Sequence, residues 1–359
     1  MYKIQKSTPI YLVSLYYRKK IPTGANKRFE QTGKYLDRLN LRLKYIVEEN
    51  ETPNTSHNNQ VLYIPKIRIP LLKRIIQFIL LVRLLKKQSN GIVISDFMPV
   101  LSIIIRNHRV FQLIHDIRST TQYRRNTAGV FTFFLQKIML KLSQNIITVS
   151  NYSRTQIANK ININLNKILV SYNGVDEKEF QSISNSCHLR DIDILYIATF
   201  ENRKNHIQLL KALNSIDDNT YYTVMIGRDL GTLEECKDYA LKNNLNIKFI
   251  ESCNNDKLLE YYFRSKMYIS PSKYEGFGMP VLESYFAGCK VICSDLDVHN
   301  EILGNNAIYF SPNNIKELVL IIKNEARGVG YKFSGGGMSK FYWVNIINSL
   351  KKSIFESQY

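Results

Sequence analysis

The chain has 359 residues but no long uncharged apolar segment, and only five cysteines. No run approaches the ~18 uncharged apolar residues of a membrane-spanning helix, so we predict no such helix. The cysteines form no Cys-x-x-Cys pair and have no regular spacing, which argues against a disulfide framework and favours a reducing cytosolic compartment. The six histidines lack metal-ligand spacing, so we expect no metal cofactor.

Acidic residues are scarce in the N-terminal half. The formal net charge is +19, and it divides into +21 over residues 1–175 and −2 over residues 176–359. A basic half of this kind favours an anionic partner: a nucleic acid, a membrane surface or a phosphorylated substrate. The segment Lys66–Lys87 has an apolar centre and seven basic residues. We interpret it either as a helix on an anionic membrane or as a helix packed on a sheet with its basic groups in water.

The pattern of apolar residues predicts an α/β fold. At 45% hydrophobic residues, the composition excludes a disordered or collagen-like chain, and the length suggests two domains. Short continuous apolar runs alternate with helix-length segments, which is typical of strands buried on both faces of a parallel sheet. Two series of such units predict two doubly wound, Rossmann-like domains. The predicted strands are Ile10–Tyr17, Tyr45–Glu48, Gly91–Ser95, Val110–His115, Asn145–Ser150, Ile192–Ala198, Tyr221–Gly227, Ile247–Ile250, Met267–Ser270 and Lys290–Cys293.

Polar and glycine-rich segments indicate the domain limits. The polar stretch 181–186 predicts a linker between residues 175 and 190. A second break lies in the glycines of segment 328–337, which form either a crossing segment or a simple loop. We therefore predict domains over residues 1–178 and 188–340. We expect a C-terminal helix over residues 341–359 that crosses back to the first domain.

The segment Ser270–Glu283, SPSKYEGFGMPVLE, carries the strongest chemical signal. It runs from the end of a predicted strand through two glycines into a helix, where backbone N–H groups can receive a phosphate. Glu275 and Glu283 flank this turn with seven residues between them. Carboxylates repel a phosphate unless they bind another group, and sugar hydroxyls are the natural partners.

This segment resembles the Glu-x7-Glu signature of retaining glycosyltransferases of family 4, which have the GT-B fold. The resemblance covers about residues 110–345, and it implies two Rossmann-like domains facing a central cleft. The first domain would bind the acceptor, and the second would bind a nucleotide sugar. Further segments follow the family's order, namely 149–153, 173–176, 200–206, 287–292, 300–304, 309–312 and 341–343.

The resemblance assigns roles in the second domain. Glu283 would bind the ribose hydroxyls and Glu275 the donor sugar, while the backbone of Gly276, Phe277 and Gly278 would line the sugar and phosphate. The pair Arg203-Lys204 would neutralise the leaving diphosphate. Many members have the arginine several residues before the lysine, so which of the two dominates stays open. A solvated basic pair at a helix start is the alternative interpretation.

In the first domain, His115 resembles the family's histidine that points at the donor sugar. The neighbouring Asp116 either takes part or only orients the loop. Gly24 follows the first predicted strand, where the family contacts the donor phosphates. It could equally belong to an ordinary turn between a strand and a helix.

The resemblance implies a retaining, metal-independent, front-face transfer from a GDP- or UDP-linked sugar, with a slight preference for GDP-mannose. We expect a lipid-linked glycan acceptor in cell-surface polysaccharide or lipopolysaccharide biosynthesis. The expected location is the cytoplasm, at the inner membrane face, with the basic half on the anionic surface. The alternatives are a soluble acceptor, a catalytically silent partner subunit or a basic nucleic-acid-binding protein. The last lacks a recognisable motif or aromatic platform, so we expect no nucleic-acid partner.

Overall fold

The computed structural model divides into two compact units. The first combines Met1–Asn173 with Trp343–Tyr359, and the second is Gly174–Tyr342. Asp116 and the glycine-rich segment 328–337 lie outside the described residues. The structure describes residues 8–19, 23–54, 59–96, 104–115, 137–143, 145–184, 189–216, 221–326 and 338–356.

The first unit contains a seven-stranded parallel sheet with the order β3-β2-β1-β4-β5-β6-β7. Its central strands are almost completely buried, which explains why their sequences are continuous apolar runs. The strands are β1 (Ile10–Ser14), β2 (Leu43–Glu48), β3 (Gln60–Ile64), β4 (Ile92–Ser95), β5 (Arg109–Ile114), β6 (Asn145–Thr148) and β7 (Ile168–Val170).

Helices cover both faces of this sheet. On one face, α1 (Gly24–Arg38) packs with α11 (Trp343–Glu356), and Phe29 and Trp343 belong to the same apolar cluster. On the other face, Leu81 and Leu85 of α2 (Pro70–Lys86) are fully buried against the sheet. Thr23 caps α1, since its Oγ accepts the N–H of Asn26 at 3.2 Å. The helices of this unit are α1 (Gly24–Arg38), α2 (Pro70–Lys86), α3 (Asn151–Ile161) and α11 (Trp343–Glu356).

The second unit contains a six-stranded parallel sheet with the order β10-β9-β8-β11-β12-β13. Its strands are β8 (Ile192–Ile197), β9 (Thr223–Ile226), β10 (Ile247–Ile250), β11 (Ser265–Ser270), β12 (Lys290–Ser294) and β13 (Ile308–Phe310). Its helices are α4 (Glu177–Ser184), α5 (His206–Asn214), α6 (Leu233–Lys242), α7 (Asn255–Arg264), α8 (Met279–Phe286), α9 (Asp297–Leu303) and α10 (Ile315–Ala326).

The two ends of the second unit lie side by side. Val175 and Tyr342 form a parallel β-bridge. The N–H of Val175 also donates to the carbonyl oxygen of Phe341 at 2.9 Å. The chain therefore enters and leaves this unit at one place.

The predicted α/β class with two doubly wound parallel sheets is confirmed. The predicted linker is wrong in part, because residues 177–184 form α4 rather than an irregular segment. Phe180 anchors this short helix, with ring centroids 6.0 Å from Phe263 and 6.2 Å from Phe286. Strand β1 also ends at Ser14 rather than at Tyr17.

Strands β3, β7 and β13 were missed by the sequence prediction. All three are edge strands. β7 and β13 have only three residues each, and β3 is mostly exposed or half-buried. Such strands lack the continuous buried run on which the prediction depended.

Candidate functional site

The second sheet brings two loops together at the point where its strand order reverses. Strands β8 and β11 are neighbours at its centre. From β8 the chain continues to β9 and β10 on one side, and from β11 it continues to β12 and β13 on the other. The carboxyl ends of strands at such a switch point form a crevice in which ligands bind. Beyond β8 lies a 3₁₀ turn over Asn202–Lys204, and beyond β11 lies the loop that leads to α8.

A lysine–glutamate ion pair joins these two loops. Nζ of Lys204 lies 2.5 Å from Oε1 of Glu275, and Nη1 of Arg203 lies 3.6 Å from Oε2 of the same carboxylate. The side chains of Lys204 and Glu275 are each only 11% exposed. Burial acts to raise the pKa of Glu275, but the two cations outweigh it and hold that pKa below its usual value. Glu275 is therefore an ionised carboxylate at neutral pH.

Hydroxyl groups beneath the pair fix the two loops to each other. Ser272 donates from Oγ to Oε1 of Glu275 at 2.8 Å. The buried Tyr196 hydroxyl donates to the carbonyl oxygen of Lys204 at 2.6 Å, and it lies 3.2 Å from Oγ of Ser272. The N–H of Lys273 donates to the carbonyl oxygen of Arg203 at 2.8 Å. These bonds hold the basic pair and the carboxylate in register before any ligand binds.

Gly278 makes the turn into α8 possible. Its φ is +88°, and a Cβ atom there would lie 3.1 Å from Cγ2 of Val281 and 3.2 Å from Nε2 of His299. Pro280 occupies the first turn of α8, where it needs no backbone donor. Nδ1 of the buried His299 lies 2.9 Å from the carbonyl oxygen of Ser294, which favours the tautomer protonated at Nδ1.

Glu283 lies inside α8 and is buried. The hydroxyl of Tyr262 donates to its Oε2 at 3.0 Å. Burial, together with this carboxylate, raises the pKa of Tyr262 well above its usual value, so the phenol stays a hydrogen-bond donor. The two predicted carboxylates therefore have different surroundings: Glu275 faces cations, and Glu283 is held by a neutral hydroxyl.

The remaining predicted site residues lie in the first unit. His115 directly follows β5, and its Nε2 is buried without a hydrogen-bond partner among the described residues. Burial, with Arg28 nearby, lowers the pKa of His115 to about 3, so the imidazole is neutral at physiological pH. Gly24 is the exposed first residue of α1.

Sequence reasoning missed the hydroxyl groups that support the site. Tyr196 lies within the apolar run of β8, where it resembles an ordinary core residue. Tyr262 lies on the buried face of α7. Ser272 lies inside the segment Ser270–Glu283, three residues before Glu275, and this short spacing is a signal that the sequence offers. In the described part of the chain, no three His, Cys, Asp or Glu side chains are grouped so that they could hold a metal ion.

Comparisons with known proteins give the site a chemical context. The family described as Glycosyl transferases group 1 matches residues 177–324. The chain is 27% identical over 258 residues to O-antigen chain mannosyltransferase RfbU of Salmonella typhimurium, which covers 71% of this chain and 70% of that protein.

Solved structures show the fold. Sucrose-phosphate synthase from Thermosynechococcus elongatus has a TM-score of 0.76 at 15% identity, covering 97% of this chain and 98% of that one. Anabaena HepE, solved in complex with UDP and glucose, has a TM-score of 0.75 at 14% identity, covering 98% and 100%. This chain has the GT-B fold, and the match to the family described as Glycosyl transferases group 1 is confined to residues 177–324 of its second unit.

Proposed function

We propose that this chain is a retaining glycosyltransferase of family 4 that moves a sugar from a nucleotide-sugar donor to a glycan acceptor. The observation that carries the proposal is the contact of Arg203 and Lys204 with Glu275 at the switch point of the second sheet. A nucleotide sugar has a diphosphate, which needs cations, and a sugar with hydroxyls, which a carboxylate binds. This cluster offers both within a few ångströms.

The donor would rearrange the ion pair. Its diphosphate brings negative charge to Arg203 and Lys204, and this charge competes with Glu275 for the same two cations. Glu275 is then available to accept hydrogen bonds from sugar hydroxyls. In the transition state, the two cations stabilise the charge that develops on the leaving diphosphate. Glu283 would bind the ribose, and the backbone of Gly276, Phe277 and Gly278 would line the sugar and phosphate.

Retention would follow from a front-face displacement. The bond between the anomeric carbon and the phosphate oxygen breaks while the acceptor oxygen bonds to the same face of that carbon. The acceptor's proton passes to the departing diphosphate. Glu275 is paired with two cations, which suits it to binding hydroxyls rather than to attack on the sugar. NMR of the product's anomeric proton tests this step, and an inverted product contradicts it.

We propose GDP-mannose as the donor and a UDP-sugar as the alternative. The first rests on the likeness to an O-antigen chain mannosyltransferase, and the second on the likeness to HepE with UDP and glucose. Melting temperatures with GDP-, UDP- and dTDP-sugars test both. We expect the largest shift with GDP-mannose. No shift with any member of the panel contradicts the transferase.

We expect no metal requirement, because Arg203 and Lys204 supply the positive charge that a diphosphate needs. The test is the initial rate of transfer in excess EDTA. A rate unchanged within twofold supports the proposal, whereas a loss of activity that Mg²⁺ or Mn²⁺ restores contradicts it.

His115 and Gly24 would serve the donor from the first unit. Replacing either should lower the rate of transfer.

The proposed role in polysaccharide biosynthesis rests on the likeness to an O-antigen chain mannosyltransferase. The proposed membrane association rests on α2. This helix buries Leu81, Val82 and Leu85. It leaves one apolar stripe exposed, with Leu72 at 46%, Ile75 at 54% and Ile79 at 44%. Basic residues lie along the same helix. We propose that this stripe rests on an anionic membrane at its cytoplasmic face, where a lipid-linked acceptor is presented. No helix of the described residues has the length and apolar composition to cross a bilayer.

Co-sedimentation with vesicles tests the membrane proposal. We expect binding to phosphatidylcholine vesicles that contain phosphatidylglycerol, and its loss as salt rises. Leu72→Ser combined with Ile75→Ser should abolish binding. Leu320→Ser is the control, because Leu320 is an exposed apolar side chain of the second unit, at 60%. Equal binding to neutral vesicles at all salt concentrations contradicts the electrostatic part. A gel-shift assay that shows tight DNA or RNA binding would favour the nucleic-acid alternative.

A further inference from the structure

Three polar residues end neighbouring strands at the centre of the first sheet. Ser14 is the final residue of β1, Asp96 directly follows β4, and His115 directly follows β5. The strand order reverses between β1 and β4. These residues therefore lie at the switch point of the first sheet, as Lys204 and Glu275 do in the second. Crevices at such points are where ligands bind in doubly wound sheets.

The three polar side chains lie on one face of the sheet. The residues two positions earlier on each strand belong to the apolar cluster beneath α1 and α11, and they are Leu12, Ile94 and Leu113. Side chains at alternate positions of a strand share a face. The apolar face beneath α1 and α11 thus becomes polar at the carboxyl ends of these three strands.

Asp96 has only part of its hydrogen-bonding capacity used. Oγ of Ser14 donates to its Oδ2 at 2.6 Å. Its Oδ1 is buried and receives no hydrogen bond from another described residue. Burial raises the pKa of Asp96 to about 7, although the hydrogen bond from Ser14 acts to lower it. A buried carboxylate oxygen without a donor destabilises a fold, so it points to a ligand that supplies one.

The neighbouring arginine does not satisfy this oxygen. Arg28 of α1 lines the same small cavity as Asp96. Its guanidinium, however, donates to the carbonyl oxygens of Ser171 and Tyr172 and to Oδ1 of Asn173, at 2.8 to 2.9 Å. Arg28 therefore ties α1 to the chain beyond β7 and leaves Asp96 open to another donor.

We propose that Asp96, oriented by Ser14, binds a hydroxyl group of the carbohydrate acceptor. This inference rests on the proposed function, and it adds an acceptor-binding residue in the first unit. A hydroxyl fits because it donates a hydrogen bond to Oδ1 and carries no charge. A phosphate would be repelled by the same carboxylate. Nε2 of His115, which is also unpartnered, leaves a second hydrogen-bonding atom on the same face of the sheet.

The test is the binding of octyl glycosides to the full chain in saturating GDP. The panel is octyl α-mannoside, β-glucoside, β-galactoside and β-N-acetylglucosaminide, measured by saturation-transfer NMR and calorimetry. We expect the wild type to bind at least one of them saturably. At pH 8, above the raised pKa of Asp96, Asp96→Ala should weaken that binding by about tenfold or more, the usual effect of losing a hydrogen bond to a charged group. Asp96→Asn should have a smaller effect, because its amide oxygen still accepts a hydrogen bond.

The control variant is Asp37→Asn, on the same unit, where the carboxylate accepts a hydrogen bond from Asn59 at 2.9 Å, far along α1. It should leave glycoside binding unchanged, and GDP binding should stay within twofold in every variant. Asp96→Ala with wild-type glycoside affinity overturns the inference, even if its melting temperature falls. So does a wild type that binds no glycoside of the panel. A wild type that binds no nucleotide or nucleotide sugar overturns the proposed function, and this inference with it.

Discussion

The ammonium of Lys204 contacts the carboxylate of Glu275 at 2.5 Å, although 71 positions separate the two residues in the sequence. The contact joins the loop after β8 to the loop after β11, and it neutralises charges that a donor would use. A ligand must therefore exchange one ionic partner for another rather than dock onto an exposed charge. Such exchange limits the desolvation that binding requires.

Lys204→Ala should reduce both activity and stability. The variant leaves Glu275 buried beside Arg203 alone, and removing one partner of a buried pair destabilises a protein by about 3–5 kcal/mol. Because this pair is 11% exposed, we expect a smaller loss, about 1–3 kcal/mol. Turnover should fall by about 100-fold, since one cation at the leaving group is lost. Urea unfolding and initial transfer rates provide the measurements.

Lys273→Ala is the control for that variant. Lys273 lies in the same loop as Glu275, but its side chain is exposed. Its backbone N–H, which bonds to Arg203, is unchanged by the substitution. We expect near wild-type turnover and stability. Similar losses in both variants would show that loop charge in general, rather than the pair with Glu275, is responsible.

Gly278→Ala should damage the proposed donor site through its backbone. The residue has a φ of +88°, and its new Cβ would crowd Val281 and His299. We expect a destabilisation of about 1–3 kcal/mol and weaker nucleotide-sugar binding. Gly231→Ala separates backbone strain from crowding by the new side chain. Gly231 has a φ of +107°, but no atom lies within 4 Å of a new Cβ there. It should show the backbone strain alone and keep donor binding. Equal loss of donor binding in both variants contradicts this assignment.

Tyr262→Phe should weaken nucleotide binding without removing a charge. The variant deletes the hydroxyl that donates to Oε2 of Glu283 at 3.0 Å. Hydrogen bonds to charged groups contribute about 1.5–3 kcal/mol, so we expect a rise in the donor KM of about tenfold with a smaller change in kcat. Tyr268→Phe is the matched control, because that hydroxyl donates to the carbonyl oxygen of Ile197 at 3.2 Å. An unchanged donor KM for Tyr262→Phe would show that Tyr262 does not contribute to nucleotide binding.

Asp96 should make the stability of the chain depend on pH. Its pKa is raised by burial from 3.8 to about 7, so between these values the folded chain holds a proton that the unfolded chain has released. Unfolding then releases a proton, and a rise in pH favours unfolding. Stability therefore falls by about 1.4 kcal/mol for each pH unit between about pH 4 and pH 7, and the total loss of about 4 kcal/mol is complete above pH 7.

The measurement is urea unfolding of the wild type and Asp96→Asn at pH 5 and pH 8. The amide does not titrate, so the variant should gain stability relative to the wild type on going from pH 5 to pH 8. This comparison cancels the contributions of the other titrating groups. A difference that is the same at both pH values would show that the carboxyl group titrates normally.

The sheets were predictable because their central strands are buried on both faces and leave continuous apolar runs. Edge strands such as Gln60–Ile64 leave no such run. A local pattern predicted Glu275 and Glu283 as site residues, and a family resemblance predicted Arg203 and Lys204. The structure places Arg203 and Lys204 against Glu275. The hydroxyl of Tyr196 was not found, because its role depends on a loop that a different strand brings to it. Contacts between distant segments of this kind leave no local pattern in the sequence.

The β-bridge between Val175 and Tyr342 has a consequence for how this protein can be recombined. Because the ends of Gly174–Tyr342 meet, this segment can be cut out and exchanged as a single cassette with two adjacent junctions. The remaining unit is built from two separate stretches of chain, so no single truncation releases it intact. Chimaeras that keep the first unit and replace this cassette would therefore test the proposal that the second unit binds the donor and the first unit binds the acceptor.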